Sequence, residues 1–190
     1  MVSFDEQAIL DKGAYIYNQR AEIERIADEI CEKGFDSIFF TSSGGSLAMM
    51  QPFDYMVSVM SDIPVQSQIS ADFLTAGNRR IGKGTLAFMA SKSGDTKETV
   101  AAAKAAKDAG CTIVSTLGVD GSPLGELSDY GVVYKQGRPM ELVLYLLIGK
   151  ILKNRGFFDD YDRFADELVN LPAALVSVGK NAERWLAHML

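Results

Sequence analysis

Hydroxyl, ammonium and glycine groups lie close together in the stretch SKSGDT, at residues 91–96. Its candidate hydrogen-bond donors are the side chains of Ser91, Lys92, Ser93 and Thr96. Gly94 carries no side chain that would keep the backbone away from a ligand. The alanine-rich segment from Asp95 to Ala109 is predicted to be a helix, and the N–H groups at its start lack intrahelical partners and carry positive partial charge. Together these groups predict a site for an anion such as a phosphate monoester.

The same stretch also fits a purely structural role. Asp95 followed by Glu98 matches a capping box, in which two side chains bind the free N–H groups of a helix start. Serine, glycine and aspartate are also common turn residues in the absence of any ligand. Both interpretations stay open for this loop alone. A nucleotide is disfavoured, because the spacing matches neither the Walker A motif nor the G-x-G-x-x-G fingerprint.

A second turn of small polar residues, SSGGS at residues 42–46, follows an apolar segment nearer the N-terminus. Gly45 allows close backbone approach, and Ser46 can either cap a helix or bind a ligand hydroxyl, with capping favoured on this turn alone. Loops that follow two strands of one parallel sheet can face the same crevice. One loop suits a phosphate and the other a polar carbon chain, so the pair predicts a sugar-phosphate pocket.

Short apolar segments alternate with segments of helical periodicity, which predicts an α/β fold. The expected architecture is a three-layer αβα sandwich around a five-stranded parallel sheet, flanked by N- and C-terminal helices. The predicted strands are residues 36–41, 64–69, 84–91, 111–118 and 130–135. Pro52 is expected to kink or open the helix that contains it, and Pro172 to interrupt the late helices.

We expect one domain over residues 1–190. Within it we place N-terminal helices at 1–34, the α/β core at 35–155 and a C-terminal helical segment at 156–190.

Composition argues against several classes of partner and compartment. A formal net charge of -6 without a basic stripe disfavours nucleic acid. No apolar run is long enough to cross a bilayer, so we expect no membrane partner and a cytoplasmic location. Neither a metal site nor a cofactor is expected, since Cys31, Cys111 and His188 are widely spaced. Cys111 opens an apolar run and is predicted to be a buried, reduced thiol.

Three stretches resemble the SIS (sugar isomerase) domain family in their order and spacing. They are FFTSSGGSLAMMQPFDYM, GTLAFMASKSGDTKETVAAAKAAKDAGCTIVSTLG and SPLGELSDYGVVY. The pattern S-x-S-G-x-T-x-E-T in the second stretch is the most specific of these signals. The resemblance covers about residues 20–155 and is closest to the first lobe of fructosamine-6-phosphate deglycases and of the isomerase half of glucosamine-6-phosphate synthase. It implies a hexose 6-phosphate or amino-sugar phosphate as ligand, and a homodimer.

The resemblance also implies roles for individual residues. Those that match the family's phosphate-binding positions are Ser91, Lys92, Ser93 and Thr96, and those that match its sugar-contacting positions are Gly45 and Ser46. Lys92 stands where the synthase has a glutamine.

The chain departs from the family at the catalytic groups. The two-lobed enzymes carry an acid/base glutamate and histidine in and upstream of an E-x-x-H-G-P-like motif, and this sequence contains no such motif. The remaining acidic candidates are Asp72, Glu98 and Glu141. Glu141 follows GRP at a predicted helix start, where the helix dipole favours an acidic group, and it matches an acidic position in the related enzymes. It is the preferred catalytic candidate, whereas His188 is expected at the surface.

The sequence is compatible with three functions. The favoured one is a sugar-phosphate deglycase or aldose–ketose isomerase, in which the chain is a single-lobe subunit or, preferably, the first lobe of a longer protein. The alternative is a phosphosugar-sensing regulatory module without chemistry, as in regulators that resemble this family. The third is a structural role. The late helices are apolar, and Trp185 and Leu190 on the last of them could form a dimer face or pack into the core.

Overall fold

The apolar segments predicted as strands form one parallel sheet. A computed structural model of the chain describes residues 5–135 and 139–189, the side chains of residues 186–189 excepted. Its strands are β1 (Ser37–Ser42), β2 (Val65–Ile69), β3 (Thr85–Ser91), β4 (Thr112–Leu117) and β5 (Tyr130–Val133). They lie in the order β2-β1-β3-β4-β5, and every neighbouring pair is parallel. Each strand agrees with its predicted bounds to within two residues.

Helices cover both faces of this sheet. They are α1 (Glu6–Tyr17), α2 (Arg20–Lys33), α3 (Gly44–Met60), α4 (Ser70–Ala76), α5 (Lys97–Asp108), α6 (Pro123–Leu127), α7 (Met140–Asn154), α8 (Tyr161–Glu167) and α9 (Leu171–Met189). One buried cluster joins the sheet to α2, α3 and α7, and a second joins it to α4, α5 and α6. The predicted three-layer αβα sandwich is therefore confirmed.

The two clusters follow from the alternation of side chains along each strand. In β1, Ile38 and Phe40 belong to the first cluster, whereas Phe39 belongs to the second. All residues of the central strand β3 are buried, as expected for a strand covered on both faces.

The opening expected at Pro52 does not occur, because α3 is assigned as one helix on both sides of that residue. A proline within a helix cannot donate to the carbonyl four residues earlier, which here belongs to Ala48. Ala48 and Pro52 are both exposed, so water can bind that carbonyl. The cost of the proline is thereby reduced.

The C-terminal helices pack back onto the N-terminal ones. A short 3-10 turn at Leu168–Asn170 precedes α9, and Pro172 lies in the first turn of α9, where proline is tolerated. The interruption predicted near Pro172 is therefore found. A Cβ atom built on Gly13 of α1 would lie 2.0 Å from Cγ of Pro172, so this close approach requires glycine.

Both cysteines are free, and Cys111 is buried, as predicted. In the described part of the chain, no helix has the length and apolar character needed to cross a membrane. The same residues contain no group of three or more His, Cys, Asp or Glu side chains that could hold a metal ion.

Candidate functional site

The strand order places a crevice between β1 and β3. On one side of this point the sheet continues to β2, and on the other it continues through β4 to β5. Ligands of doubly wound sheets bind at such a switch point, beyond the carboxyl ends of the strands. The loops that leave β1 and β3 at this edge lie within residues 42–46 and 91–96, the two stretches that the sequence singles out.

The two loops are joined by hydrogen bonds. At the end of β1 the Ser42 hydroxyl donates to the carbonyl of Ala90. The hydroxyl oxygen of Ser43 lies 3.2 Å from that of Thr99, which is buried in the first turn of α5. The loop after β1 is thereby fixed to the helix that follows β3.

Residues 91–96 form a turn around the Ser91 hydroxyl. Ser91 is 2% exposed, and its hydroxyl oxygen accepts a hydrogen bond of 2.9 Å from the N–H of Gly94. The same oxygen lies 3.2 Å from the Thr96 hydroxyl oxygen. Gly94 has φ +74°, a left-handed conformation that favours glycine. Ser91, Gly94 and Thr96 therefore shape the loop from within.

The loop is supported from behind by the segment before α6 and by α6 itself. The N–H of Leu124 donates to the carbonyl of Gly94 at 2.9 Å, and the N–H of Gly118 donates to the carbonyl of Ser91 at 3.0 Å. A Cβ atom built on Gly94 would lie 2.1 Å from the Ser122 hydroxyl oxygen. Gly94 is thus required both for its conformation and for this contact.

The start of α5 differs from the capping-box interpretation. The helix begins at Lys97, with Thr96 as its N-cap residue and no side-chain capping hydrogen bond. Asp95 therefore lies outside the N-cap position, and both Asp95 and Glu98 are exposed. The N–H groups of the first turn are left without a side-chain cap, which preserves the capacity of the helix start to bind an anion.

The start of α3 also differs from the expectation for Ser46. The N-cap residue of α3 is Ser43, and Ser46 is the third residue of the helix. Because it lies inside the first turn, Ser46 does not cap the helix, and its half-buried side chain lines the cleft described next.

A cleft of about 410 Å³ opens between the loops, within the size range of small-molecule sites. It is lined by Ser43, Gly45, Ser46, Met49, Lys92, Tyr134 and Met140. Of the residues predicted to bind a ligand, Gly45, Ser46 and Lys92 meet here. Ser93 is exposed on the surface of its loop, while Ser91, Gly94 and Thr96 do not line the cleft.

Tyr134 was not identified from the sequence as a site residue. It follows β5 and is 6% exposed. Burial and the negative charge of Glu141 raise the pKa of Tyr134, so its hydroxyl is protonated at neutral pH and can donate a hydrogen bond. One feature of the sequence could have identified it. Tyr134 is a polar aromatic residue directly after a predicted parallel strand, and ligands bind at that edge of the sheet.

Ser43 and Thr99 were also missed as a pair. Both lie within motifs quoted for the family resemblance, and Thr99 is the last residue of S-x-S-G-x-T-x-E-T. Their contact depends on how β1 and α5 pack, which the sequence pattern does not specify.

The catalytic candidates occupy different places. Glu141 is half-buried in the first turn of α7 and lines a second cavity, which shares Met49 with the cleft. Asp72 and Glu98 are exposed and line neither cavity. The side chain of His188 lies outside the described residues.

Comparison with known proteins agrees with this architecture. The SIS domain model matches residues 33–146. Glutamine–fructose-6-phosphate aminotransferase (isomerizing) of Thermotoga maritima is 32% identical over 158 residues, which are 77% of this chain and 26% of that enzyme. Fructosamine deglycase FrlB of Bacillus subtilis is 30% identical over 117 residues, which are 61% of this chain and 36% of the deglycase. The chain thus spans about a quarter to a third of the length of these curated relatives.

Solved structures share the fold. A provisionally named phosphosugar isomerase from Salmonella typhimurium LT2 superposes with a TM-score of 0.79 at 26% identity, covering 89% of this chain and 55% of that one. The NanR protein of Vibrio vulnificus, solved in complex with ManNAc-6P, superposes with a TM-score of 0.66 at 20% identity, covering 89% of this chain and 67% of NanR. Because the family model matches more than half of the chain, the protein belongs to the SIS domain family.

Proposed function

We propose that the cleft binds a hexose 6-phosphate or an amino-sugar phosphate. The phosphate lies at residues 91–96 and the start of α5, and the sugar chain lies along Gly45 and Ser46. The observation that carries this proposal is the meeting of two small-residue loops at the β1/β3 switch point, with the start of α5 lacking a side-chain cap. The names of the relatives support the same ligand class.

Local hydrogen bonds can hold a phosphate despite the formal net charge of -6. Hydrogen bonds to a charged group contribute about 1.5–3 kcal/mol each. The Ser91 hydroxyl accepts from Gly94 and also lies 3.2 Å from the Thr96 hydroxyl oxygen. Only one of these two hydroxyl protons is needed for their mutual contact, so the other can be donated to a ligand. Lys92 and Ser93 are exposed on the same loop, where they can reach a ligand that enters from solvent. Three or four such contacts offset the unfavourable overall charge.

The proposed chemistry is that of a deglycase or an aldose–ketose isomerase. Both reactions move protons near a carbonyl carbon, which requires acid and base groups within reach of the substrate. We assign the base to Glu141, whose negative charge acts on Tyr134 in the cleft, and the hydrogen-bond donor to Tyr134. We also propose a cytoplasmic homodimer, in keeping with the family resemblance.

A sensing module without chemistry is the second candidate. The sequence lacks the E-x-x-H-G-P-like motif that carries acid/base groups in the two-lobed enzymes, and its single histidine is His188. Turnover of fructose 6-phosphate or a fructosamine 6-phosphate by this chain excludes a purely sensing role. Binding without turnover favours it.

Calorimetric titration with several hexose 6-phosphates and with inorganic phosphate tests the binding proposal. We expect Ser93→Ala to weaken hexose-phosphate binding by roughly tenfold or more, since a hydrogen bond to a charged group is lost. Ser58→Ala is the matched control, because Ser58 is exposed on α3 and donates only to the carbonyl of Tyr55 in its own helix. Unchanged affinity in the Ser93 variant would overturn the assignment of the phosphate site.

A further inference from the structure

Strand β2 forms one edge of the sheet, and among the described residues it pairs with β1 alone. The N–H of Ile38 in β1 donates to the carbonyl of Pro64, the residue before β2. Because the backbone groups of a strand alternate between its two sides, the residues whose N–H groups point away from β1 are Val65, Ser67 and Ile69. No other described group bonds these three N–H groups. The outer side of β2 therefore has open backbone donors.

This edge lacks the features that usually prevent strand pairing between molecules. Natural edge strands carry charged side chains, prolines or bulges for this purpose. The sequence of β2 is VQSQI, which contains neither a charged residue nor a proline. Its register with β1 advances one residue at a time along the whole strand, so β2 has no bulge. The edge is therefore able to accept a further strand.

The outward groups of β2 match a second copy of the same strand. In an antiparallel pair centred on Ser67, the N–H and C=O groups of Ser67 in the two copies bond each other. The N–H of Ile69 then donates to the carbonyl of Val65 in the second copy. The same register places the side chain of Ile69 beside that of Val65 on one face, and Gln66 beside Gln68 on the other. Each such cross-strand pair adds stability.

Asn78 prepares the two glutamines for this contact. Its side-chain amide donates to Oε1 of Gln66 at 3.2 Å and to Oε1 of Gln68 at 3.1 Å. Both glutamine NH₂ groups are left as donors, and each Oε1 atom keeps a second lone pair. Across a two-fold axis, Gln66 can therefore donate to Gln68 of the second copy while both stay bound to Asn78.

The charged residues beside β2 are arranged for the same antiparallel pair. Asp72 lies in the first turn of α4, at the carboxyl end of β2. Arg79 and Arg80 follow α4, which returns toward the edge of the sheet where β3 begins. All three side chains are exposed, and none forms an ion pair within the described part of the chain. In an antiparallel pair the carboxyl end of one β2 lies beside the amino end of the other, so Asp72 comes to the side of the arginines of the second copy and is attracted to them.

We propose that the β2 edge is the surface through which two copies of this chain associate, with their β2 strands paired antiparallel and their sheets joined. The inference rests on the homodimer of the proposed function and specifies its interface. The carboxyl ends of the two sheets then point in opposite directions, so each copy keeps its own open cleft. The pair uses the free edge of both β2 strands, so association through this surface ends at two copies.

One contact on α3 opposes the pair and provides a test. The Ser67 hydroxyl donates to the carboxylate of Asp54. In the antiparallel pair the two Asp54 carboxylates lie on the same face of the joined sheet and repel each other across the axis. Asp54→Asn keeps an acceptor for Ser67 and removes the charge. We expect this change to lower the dissociation constant of the dimer by about threefold.

Sedimentation velocity over about 1 to 200 µM protein measures the association, because a strand pair is a small interface and should be of micromolar affinity. Gln66→Lys combined with Gln68→Lys places like charges opposite each other. We expect this double-lysine variant to raise the dissociation constant at least about tenfold. Gln66→Lys combined with Gln68→Glu is the matched control. It changes the same two positions, but the introduced lysine faces the introduced glutamate of the second copy, so dimerisation should persist.

Hydrogen exchange locates the contact. The amides of Ser67 and Ile69 are expected to become protected as the wild-type concentration rises, and to stay unprotected in the double-lysine variant. Hexose 6-phosphate should bind that variant as tightly as the wild type, because the cleft contains no residue of β2. Melting temperatures show whether each variant is folded.

The outcomes separate this inference from the function on which it rests. A wild type that stays monomeric refutes the inference and the homodimer, while hexose 6-phosphate binding is decided by its own titration. A dimer that resists the double-lysine change uses another surface, and one that is lost equally in both double variants uses another register. Either result refutes the proposed pair and leaves the homodimer intact. Assembly beyond two copies that the double-lysine change abolishes, or a monomer whose β2 amides are protected only by an unrelated extended peptide, would also overturn it.

Discussion

The hydroxyl oxygens of Ser43 and Thr99 lie 3.2 Å apart and connect the two loops of the site. Ser43 lines the cleft, whereas Thr99 is fully buried in the first turn of α5. One side chain therefore belongs to the sugar-contacting loop, and the other to the helix whose start is proposed to bind the phosphate. Their contact links the two halves of the site.

Replacement of Thr99 by valine tests this connection. Valine keeps the branched shape of threonine, so packing against the sheet is preserved, but the hydrogen bond to Ser43 is lost. We expect hexose 6-phosphate affinity to fall by about three- to tenfold, equivalent to a net hydrogen bond of about 0.5–1.5 kcal/mol. The affinity for inorganic phosphate is expected to fall less, because this ligand does not bridge the two loops. Calorimetric titration measures both affinities.

Thr75→Val is the matched control for this change. Thr75 is exposed on α4 and donates to the carbonyl of Ala71 within its own helix. Equal losses of affinity in the two variants would show that the Ser43–Thr99 contact has no special role in binding.

Most of the fold is encoded in local sequence patterns. The strands and their connecting helices were predicted because each segment carries its own hydrophobic period and ends at glycine, serine or proline. At Pro52 the sequence predicts a kinked or opened helix, and the structure shows that the helix is not opened. The exposure of Ala48 and Pro52, which lessens the cost of the proline, depends on which face of α3 packs against the sheet.

Sequence patterns predicted only those residues of the candidate site that lie next to a recognisable strand or helix start. Gly45, Ser46 and Lys92 follow their strands directly, and the structure brings them to one cleft. The place of Tyr134 in the cleft and the second cavity beside it depend instead on contacts between segments that are distant along the chain. Lys12 and Glu141, for example, line one cavity although they come from the first and the seventh helix. No pattern within either helix predicts that meeting.

Gly94→Ala is predicted to disrupt the loop at 91–96. An alanine there must adopt φ +74° and place its Cβ atom 2.1 Å from the Ser122 hydroxyl oxygen. The strained backbone alone costs on the order of 1–3 kcal/mol, and the clash adds to it. We expect a lower free energy of unfolding in urea and a loss of hexose-phosphate binding that is measurable by calorimetry.

Gly121→Ala separates the two causes. Gly121 also has a positive φ, of +63°, but a Cβ atom there meets no neighbour within 4 Å. Only the backbone strain applies to that variant, so its unfolding free energy should fall less and its ligand affinity should hold. The double change Gly94→Ala with Ser122→Gly is expected to recover part of the stability. If it recovers none, the clash with Ser122 is not the main cause.

Tyr134→Phe is predicted to weaken binding of sugar phosphates without affecting inorganic phosphate. The ring remains to pack in the cleft, but the donor hydroxyl is lost. A hydrogen bond of about 0.5–1.5 kcal/mol corresponds to a roughly three- to tenfold lower affinity for hexose 6-phosphate. Tyr55→Phe is the control, because Tyr55 is 71% exposed and lies outside the cleft. A parallel loss of inorganic phosphate affinity would argue that the change disturbs the whole site.

Cys111 is predicted to be unreactive in the folded protein. Its side chain is 6% exposed and lies 3.5 Å from the carbonyl oxygen of Gly82. Burial raises the pKa of the Cys111 thiol to about 11, so little of the reactive thiolate forms at neutral pH. Mass spectrometry after treatment with iodoacetamide should find Cys31, which is half-buried, modified before Cys111. Addition of urea should make Cys111 reactive. Prompt labelling of Cys111 without denaturant would contradict its burial.

The same thiol predicts how stability responds to alkaline pH. The folded pKa of Cys111, about 11, lies above its ordinary value of 9.0, so the folded state favours the protonated form. Stability from this group is therefore fully present below pH 9.0 and is lost as pH rises through about 11. Other groups titrate in the same range, so the test is the difference between wild type and Cys111→Ala in urea unfolding at several pH values. We expect the stability advantage of the wild type over the variant to shrink as pH rises. A constant difference would mean that the thiol ionises as readily in the folded chain as in the unfolded one.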